Sequence, residues 1–330
     1  MSTKNLVLTQ CVEGMLFYKR ASGLSSHTID DYRVSFKKLS LYFKDDPPLA
    51  SVTRDQLIAF FAWLRTDYVC RPSGAVKSDK QKPLAPKTLF NIHVAVSALW
   101  TWAVEENVVE KNIVHAIAMP KLAEQVVETF TKEQIEAMLT ACMRSKKYGN
   151  NGHSSNERPT ADRDRAIVLT LLDTGLRAQE LCDIKMGDVN MSGNSIKVLK
   201  GKGNKERVVY FGKRTAKAIY KYLLPSLSAS KPDDYLLLVD YPRDPRPMTR
   251  QVLGHLLGRL GERAGVQDVY PHRFRHTFAI NYLRNGGDVF TLQSLLGHSD
   301  LAMVRRYARV AQMDCERVHQ TASPVDCWKL

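Results

Sequence analysis

Five short segments in the second half of the chain carry the residues best suited to chemistry. They combine guanidinium, ammonium, imidazole and phenol groups, which can bind an anion, move protons and supply a nucleophile. The segments are residues 174–181 (TGLRAQEL), 200–207 (KGKGNKER), 271–276 (PHRFRH), 295–300 (LLGHSD) and 305–308 (RRYA). Taken singly, each also has an ordinary structural explanation, such as a helix cap, a solvated hairpin tip or a core tyrosine.

The spacing of these residues excludes several common kinds of site. His272 and His276 stand four residues apart, as in a zinc-binding helix, but the intervening Arg273 and Arg275 disfavour a divalent metal. The lysine-rich segment lacks the spacing of a phosphate-binding P-loop, and no clustered carboxylates suggest a two-metal nuclease. We therefore predict no metal and no cofactor. Phosphate chemistry without a metal must take its positive charge from arginine, lysine and histidine side chains.

The chain is strongly basic, and most of the excess charge lies in its second part. The 330 residues include 48 Lys and Arg against 34 Asp and Glu, a net charge of +14. Residues 1–125 carry 16 basic and 12 acidic side chains, and residues 126–330 carry 32 and 22. The two parts thus contribute +4 and +10. Such an excess favours a polyanionic partner, because contacts with phosphates release bound counterions.

The remaining composition indicates a cytoplasmic globular protein. No apolar run reaches the length of a membrane span, and the first ten residues lack a signal-peptide pattern. We therefore expect no membrane partner. The six cysteines form no CxxC pair, which favours reduced structural thiols over a zinc ribbon or a redox motif.

Apolar residues at helical spacing organise the front part of the chain. They predict helices over residues 32–43 and 89–103, and the capping box Thr53-x-x-Gln56 opens another helix between them. Residues 71–87 are polar and proline-containing, which predicts an exposed basic loop. The lysines of this loop are Lys77, Lys80, Lys82 and Lys87. Contact with phosphate and plain solvation explain the loop about equally well.

A linker at residues 120–128 precedes a second part of mixed content. Two β-like runs, 195–199 and 207–211, predict a hairpin whose tip is the lysine-rich segment. Residues 145–162 are polar and predict a surface loop. Helices are expected after a capping box at residue 131 and over 166–172, 214–224, 249–264, 272–285 and 289–296.

Taken together, the five segments resemble the catalytic pattern of the tyrosine recombinase family, which includes the phage integrases and the Xer-type recombinases. That pattern runs Arg, a β-hairpin Lys, His-x-x-Arg, His or Trp, and then Tyr. The matching positions, in the same order, are Arg177, Lys202, His272, Arg275, His298 and Tyr307, with Glu180 at the family's acidic position. The resemblance is strong over residues 131–310 and diffuse before them. It gives no catalytic role to His276 or Arg273.

The resemblance implies a mainly α fold with a small antiparallel β-sheet. Residues 1–122 would form a helical core-binding bundle that contacts DNA. Residues 127–330 would form the α+β tyrosine-recombinase catalytic domain with a C-terminal tail. Since the chain begins almost directly with the core-binding part, we expect a simple recombinase, either Xer-like or from a mobile element.

By the same resemblance, Tyr307 attacks a DNA phosphate and forms a 3′-phosphotyrosine, which releases a 5′-hydroxyl. The covalent bond stores the energy for rejoining, so that no ATP is needed. Arg177 and Arg275 are expected to bind the non-bridging oxygens of the phosphate. Lys202, at the hairpin tip, is expected to protonate the leaving oxygen.

The resemblance assigns supporting roles to three further residues and also implies partners. His272 would act as an acid/base or donate to the phosphate, His298 would donate to the same phosphate, and Glu180 would orient His272 or an arginine. The partners would be double-stranded DNA with a specific recombination site and three further copies of the protein, joined in a tetramer through a Holliday junction. The resemblance is also compatible with accessory proteins as partners. It implies that the protein is associated with the nucleoid.

Two alternatives keep part of this pattern. A type IB topoisomerase uses a similar residue set to relax DNA without exchanging strands, although the segments LLGHSD and HRFRH look more like those of bacterial integrases. A DNA-binding protein of the same fold that no longer cuts would not need the complete set. Integration or excision of a mobile element and Xer-like resolution remain equally open as the biological task.

Overall fold

The chain folds into two compact units, Met1–Gln125 and Val126–Leu330. The computed structural model describes residues 5–69, 83–118, 127–144, 156–199, 206–226, 228, 230–239, 244–297, 307–308, 319, 323 and 325. The front unit and the second unit each have a hydrophobic core of their own. A separate core is what allows a domain of this size to be stable.

The described part of the front unit is helical. It contains α1 (Leu8–Ala21), α2 (Ser26–Tyr42), α3 (Arg54–Thr66) and α4 (Pro86–Glu105). The side chain of Thr53 accepts a hydrogen bond from the backbone of Gln56, which confirms the predicted capping box of α3. Helix α1 is absent from the sequence prediction, because its first residue is preceded by Val7, which provides no capping side-chain bond.

The core of the front unit lies between α4 and the helices α1 and α2. Trp100 is 1% exposed and Trp102 is 7% exposed, so both aromatic residues pack in this core. A Cβ atom on Gly14 of α1 would come within 2.8 Å of the indole of Trp102. The backbone of α1 therefore packs directly on α4, which a larger residue at position 14 would prevent.

Helices also dominate the second unit. The described residues contain α5 (Lys132–Met143), α6 (Ala161–Thr174), α7 (Ala178–Asp183), α8 (Lys213–Leu223), α9 (Arg250–Ala264), α10 (Pro271–Arg284) and α11 (Val289–Leu296). Helix α6 lies at the centre of this unit and packs against α5, α8 and α10. Its buried residues include Ile167, Val168 and Leu171, each 0% exposed.

Helix α6 begins earlier than its apolar pattern predicts. The expected start is residue 166, and the expected polar loop runs through residue 162, but the helix starts at Ala161. Its first turn contains Asp162 and Asp164, which favour a helix N-terminus electrostatically. Because these residues are charged, the apolar pattern in the sequence begins only after this turn. Asp164 is fully buried and paired with Arg158 and Arg163, both at 2.9 Å, so a charged residue occupies a core position.

A three-stranded antiparallel sheet packs beside the helices of the second unit. Its strands are β1 (Val189–Asn190), β2 (Ser195–Val198) and β3 (Arg207–Tyr210), in the order β1-β2-β3. The pairing of β2 with β3 confirms the predicted hairpin, with Ile196 opposite Val209 and both 0% exposed. The hairpin tip lies outside the described residues. A second, two-stranded sheet pairs β4 (Leu238–Val239) with β5 (Arg246–Pro247).

Within the described residues, no helix combines the length and the apolar composition that crossing a lipid bilayer requires.

Candidate active site

The turn between α6 and α7 places Arg177 at the first candidate site position. Helix α6 ends at Gly175, which adopts the left-handed conformation with φ of 61°. A Cβ atom there would lie 2.4 Å from the ring of Phe278, so glycine is required both for the conformation and for the space. The chain reverses at this point, and Arg177 becomes the N-cap residue of α7.

Glu180 holds two arginines at once. Its Oε1 atom accepts hydrogen bonds from Arg177 Nη1 at 2.7 Å and from Arg207 Nη1 at 3.0 Å. Its Oε2 atom accepts from the backbone N–H of Arg177 at 2.8 Å and from Arg207 Nη2 at 2.7 Å. Burial raises the pKa of this carboxyl, but the hydrogen bonds from Arg207 and Arg177 outweigh burial and lower the pKa to about 2. Glu180 is therefore ionised at neutral pH.

Arg207 ties three elements of the site together, and sequence reasoning gave it no role. It lies at the start of β3, where the hairpin that carries Lys202 returns to the sheet. Besides its two bonds to Glu180, its Nε donates to the carbonyl of Leu295 at 2.7 Å. Arg207 thus connects the base of the hairpin with α7 and with the end of α11.

Arg275 is a buried guanidinium held by main-chain carbonyls. It is 1% exposed, and its Nη1 and Nη2 donate to the carbonyls of Gly175 and Leu296, each at 2.7 Å. Burial, and then the charge of Arg177, lower the pKa of Arg275 to about 10. Glu180 and Tyr307 act in the opposite direction. Arg275 is therefore still a cation at neutral pH, and Tyr307 lies within its electrostatic reach.

Arg177 also bonds to the end of α11. Its Nη2 donates to the carbonyl of Gly297 at 3.3 Å, and Gly297 ends α11 with φ of 62°. Arg177 and Arg275 thus bind the adjacent carbonyls of Gly297 and Leu296. Arg177 lies 120 residues before its partner Gly297, and Arg275 lies 21 residues before its partner Leu296, so the fold brings together guanidinium groups from distant parts of the chain.

His272 lies in the first turn of α10, on the exposed side of the site. Desolvation by the surrounding atoms lowers its pKa first, and the neighbouring charges of Arg275 and Arg177 lower it further. The imidazole keeps an exposed edge and contacts the ring of His276 edge to face, with ring centroids 4.4 Å apart. A lowered pKa keeps His272 neutral at pH 7, where a neutral imidazole can accept or donate a proton.

Tyr307 is fully buried with its hydroxyl directed at a histidine. The side chain is 0% exposed and packs in a small core with residues of α10 and α11. Its hydroxyl lies 2.9 Å from His276 Nδ1. Sequence reasoning gave His276 no role. Its position four residues after His272 was the available signal, since residues at this spacing share a helix face.

The structure brings five of the predicted catalytic residues to one region of the second unit. They are Arg177, Glu180, His272, Arg275 and Tyr307. Lys202 and His298 lie outside the described residues, as do Lys77, Lys80 and Lys82. Lys87 is exposed in the first turn of α4, with its Nζ 4.6 Å from the ring centroid of Phe90. Among the described residues, no group of three His, Cys, Asp or Glu side chains could hold a metal ion.

Comparison with known proteins shows the family to which the chain belongs. The family model described as "Phage integrase family" matches residues 128–313, more than half of the chain. The tyrosine recombinase XerC of Staphylococcus epidermidis is 33% identical over 224 residues, which are 68% of this chain and 70% of that protein. The tyrosine recombinase XerC of a Mycobacterium species (strain KMS) is 31% identical over 307 residues, 92% of this chain and 94% of that protein.

Solved structures share the fold at lower sequence identity. A lambda integrase dimer bound to a COC′ core site has a TM-score of 0.67 and 16% identity, covering 92% of this chain and 95% of that chain. The XerH recombinase bound to a palindromic difH substrate has a TM-score of 0.65 and 19% identity, covering 93% and 82%. The predicted fold, mainly α with a small antiparallel sheet, is confirmed.

The chain therefore belongs to the phage integrase family. It is a site-specific recombinase of the tyrosine type, an enzyme that transfers DNA strands.

Proposed function

We propose that this enzyme cuts and rejoins double-stranded DNA at a specific recombination site through a 3′-phosphotyrosine at Tyr307. The observation that carries this proposal is that buried Tyr307 lies within electrostatic reach of Arg275, a cation that also interacts with Arg177, Arg207 and Glu180. Arg177, Arg207 and Arg275 outnumber Glu180, so the site keeps an excess of positive charge. A phosphate transition state develops negative charge, which such an excess stabilises.

Arg177 and Arg275 are proposed to bind the two non-bridging oxygens of the scissile phosphate. Arg275 is held by two main-chain carbonyls, which fix its guanidinium plane without neutralising its charge, and Arg177 is held by Glu180 and by the carbonyl of Gly297. Preorganised donors of this kind need no reorientation during the reaction. Glu180 then acts by orienting Arg177, which it contacts through both carboxylate oxygens.

The remaining proposed roles belong to Lys202, His298 and His272. Lys202 is proposed as the general acid that protonates the leaving 5′-oxygen, and the hairpin that carries it is fixed at its base through Arg207. His298 directly follows Gly297, whose carbonyl binds Arg177, and is proposed to donate to the phosphate. His272, whose pKa is lowered by desolvation and then by the charges of Arg275 and Arg177, is proposed to donate to the same phosphate or to relay a proton.

The proposed partner is DNA, supported by the net charge of +14 and by the DNA-bound lambda integrase and XerH structures of the same fold. We propose that residues 1–122 act as a core-binding domain and residues 127–330 as the catalytic domain. In that arrangement Lys87 and the lysines of the preceding loop contact phosphates. Four copies would assemble on two DNA sites through a Holliday junction, with accessory proteins setting the direction.

The test is capture of the covalent adduct on DNA from the source organism. The protein is denatured rapidly during reaction, and the DNA fragments that remain attached to it are sequenced. Tyr307→Phe removes the nucleophilic hydroxyl and should give no adduct while retaining DNA binding. Tyr220→Phe, which makes the same change at an exposed tyrosine of α8, is the matched control and should behave like the wild type.

The distribution of adducts separates the alternatives. Adducts at one or a few sites support site-specific recombination and identify the site. Adducts spread over many sequences contradict it and favour DNA relaxation of the topoisomerase kind. Adducts that persist in Tyr307→Phe would assign the nucleophile to another residue.

A further inference from the structure

His276 contacts the atom of Tyr307 that reacts in the proposed function. The Nδ1 atom of its ring lies 2.9 Å from the Tyr307 hydroxyl, which is hydrogen-bonding distance. The two rings lie 5.5 Å apart between centroids and are tilted by 58°. Helix α10 positions the imidazole, since its neighbours Arg275 and Thr277 are 1% and 2% exposed and fix this turn in the core.

The packing around Tyr307 leaves its hydroxyl little freedom. The ring lies among Ala279 and Ile280 of α10 and Leu292 and Leu296 of α11, all 0% exposed. These apolar groups confine the ring but offer no side-chain acceptor for its proton. His276, on the same face of α10 as Ile280, supplies a polar atom within reach.

A tyrosine nucleophile needs such an acceptor. A tyrosine side chain in water has a pKa of about 10, so roughly one molecule in a thousand is ionised at pH 7. The neutral phenol is a weak nucleophile, and an adjacent base that takes its proton during attack removes this barrier. The guanidinium of Arg275 lies within electrostatic reach of Tyr307, and its positive charge favours the negative charge that develops on the phenolic oxygen.

The neighbouring imidazole of His272 carries no positive charge that would oppose protonation of His276. His272 contacts His276 edge to face at 4.4 Å, so two protonated rings at that distance would repel each other. Arg275 and Arg177 lower the pKa of His272, after desolvation, and thereby keep it neutral. One proton can therefore be held on His276 without a like charge on the adjoining ring.

We propose that His276, which the catalytic pattern leaves without a role, is the general base that takes the Tyr307 proton during strand cleavage. This inference rests on the proposed function, in which Tyr307 is the nucleophile. The Tyr307 O–H bond breaks as its proton passes to Nδ1, and the phenolic oxygen forms the new bond to phosphorus. The bond from phosphorus to the 5′-oxygen breaks, and that oxygen takes a proton from the general acid assigned to Lys202.

Rejoining reverses each of these steps. The DNA 5′-hydroxyl attacks the phosphotyrosine, its proton returns to the Lys202 amine, and the phosphorus–tyrosine bond breaks. The protonated His276 gives its proton back to the departing phenolic oxygen. His276 is thus a base in cleavage and an acid in rejoining, so removing it slows both half-reactions.

The test compares His276→Leu with His276→Asn in the full-length enzyme on the site found by adduct capture. Leucine removes both ring nitrogens at similar volume, whereas asparagine keeps a polar atom close to the position of Nδ1. We expect either variant to slow adduct formation by about 10²- to 10⁴-fold, the usual contribution of a general base. DNA affinity should change by less than about threefold, because the imidazole approaches the tyrosine rather than the phosphate. Recovery of the wild-type rate by asparagine would reduce His276 to a positioning residue and overturn the proposal.

A fluorinated tyrosine at position 307 provides the decisive readout. Fluorination lowers the pKa of the phenol, so attack depends less on a base. The fluorinated residue should raise the rate in the His276 variants while changing the wild-type rate little. Equal effects in both backgrounds would overturn the proposal, since a role in packing or orientation does not depend on the phenol pKa. If His276→Leu does not bind DNA, the comparison is made in His276→Asn.

The proposed function can fail separately from this inference. If Tyr307→Phe still forms the adduct, the nucleophile itself is wrongly assigned, whatever His276 does. If Tyr307→Phe forms none and the His276 variants cleave within about threefold of the wild type, only the role of His276 is wrong.

Discussion

The two units bury different kinds of side chain. Among the described residues, the buried polar groups of the front unit are Ser35, Lys38 and His93, which bond to backbone carbonyls at 3.0, 2.9 and 3.3 Å. The second unit buries Asp164, Glu180, Arg273 and Arg275. Burying a charge costs several kcal/mol before its partners offset the cost, so a fold does not bury charges merely to gain stability. The difference indicates that the interior of the second unit depends more on paired and hydrogen-bonded charges than the interior of the front unit does.

Helix α10 shows that burial alone does not identify a site residue. Arg273 and Arg275 are both buried and stand two residues apart. Arg273 donates to the carbonyl of Gln267 at 2.7 Å and stacks on the ring of Phe130 at 4.2 Å, so it joins elements of the core. Arg275 bonds to the ends of α6 and α11, beside Arg177. The partners of a buried cation, rather than its burial, separate the two cases.

The largest effect is expected when the two buried arginines of α10 are replaced one at a time. Arg275→Met keeps most of the volume but removes a donor to the phosphate, so adduct formation should fall by about 10²- to 10³-fold or more. Arg273→Met, the matched control, should leave that rate within about threefold and lower the free energy of unfolding by about 1–3 kcal/mol. Single-turnover cleavage and urea unfolding measure the two quantities. Similar rates in both variants would show that Arg275 has no role in cleavage that Arg273 lacks.

The next effect concerns Arg207, which is 9% exposed at its side chain and pairs with the buried Glu180. Arg207→Met leaves part of that carboxylate unpaired and should lower the free energy of unfolding by about 3–5 kcal/mol. Arg207→Lys should recover only part of this loss, since an ammonium cannot reproduce two parallel bonds and the bond to Leu295. Urea unfolding at pH 7 checks both variants. A loss below about 1 kcal/mol for methionine would show that the pair stabilises little.

A smaller effect is expected in the pH dependence of stability. Glu180 has its pKa lowered from 4.5 to about 2 in the folded chain, so it stabilises the fold above pH 4.5 and loses this contribution as the pH falls towards 2. The shift corresponds to roughly 3 kcal/mol. Glu180→Gln should therefore be less stable than the wild type at pH 7, with the difference shrinking as the pH falls through this window. A difference that is the same at pH 7 and at pH 3 would assign the loss to packing.

The smallest effect is expected in the front unit. Lys38 is 8% exposed, and its Nζ donates to the carbonyl of Val34 and lies 6.0 Å from the ring centroid of Tyr68. Lys38→Met keeps the aliphatic chain and removes a hydrogen bond to a backbone carbonyl, so the free energy of unfolding should fall by about 1 kcal/mol or less. Thermal or urea unfolding measures this. A loss of several kcal/mol would show that the front unit depends on a buried cation as the second unit does.

Local signals in the sequence predict what is local in the structure. Capping boxes and apolar spacing give α3, α4, α5, α9 and the β2–β3 hairpin, because the residues that form each of them are close in the chain. Helix α7 has six residues and strand β1 has two, which is too short for a period to be recognised. The catalytic pattern itself gave Arg177, Glu180, His272, Arg275 and Tyr307 by family resemblance.

The contacts that organise the site are not local, and periodicity cannot predict them. Arg207 meets Glu180 across 27 residues, and His276 meets Tyr307 across 31. Each pair depends on how separate elements pack in three dimensions. The signal that was available for Arg207 is electrostatic. Glu180 is a carboxylate close to Arg177 in the sequence, and a carboxylate that becomes buried requires several donors. The basic hairpin can supply one of these donors.

The use of peptide carbonyls to hold Arg275 has an evolutionary consequence. Every amino acid contributes the same carbonyl, so substitutions in the anchoring segments can accumulate without removing these acceptors. Selection then acts on the few positions that set the path of the chain, such as Gly175 and Gly297, and on Glu180, the carboxylate that Arg177 and Arg207 share. A site anchored in this way tolerates extensive sequence divergence, while the residues that react, bend the backbone or supply that carboxylate must be inherited unchanged.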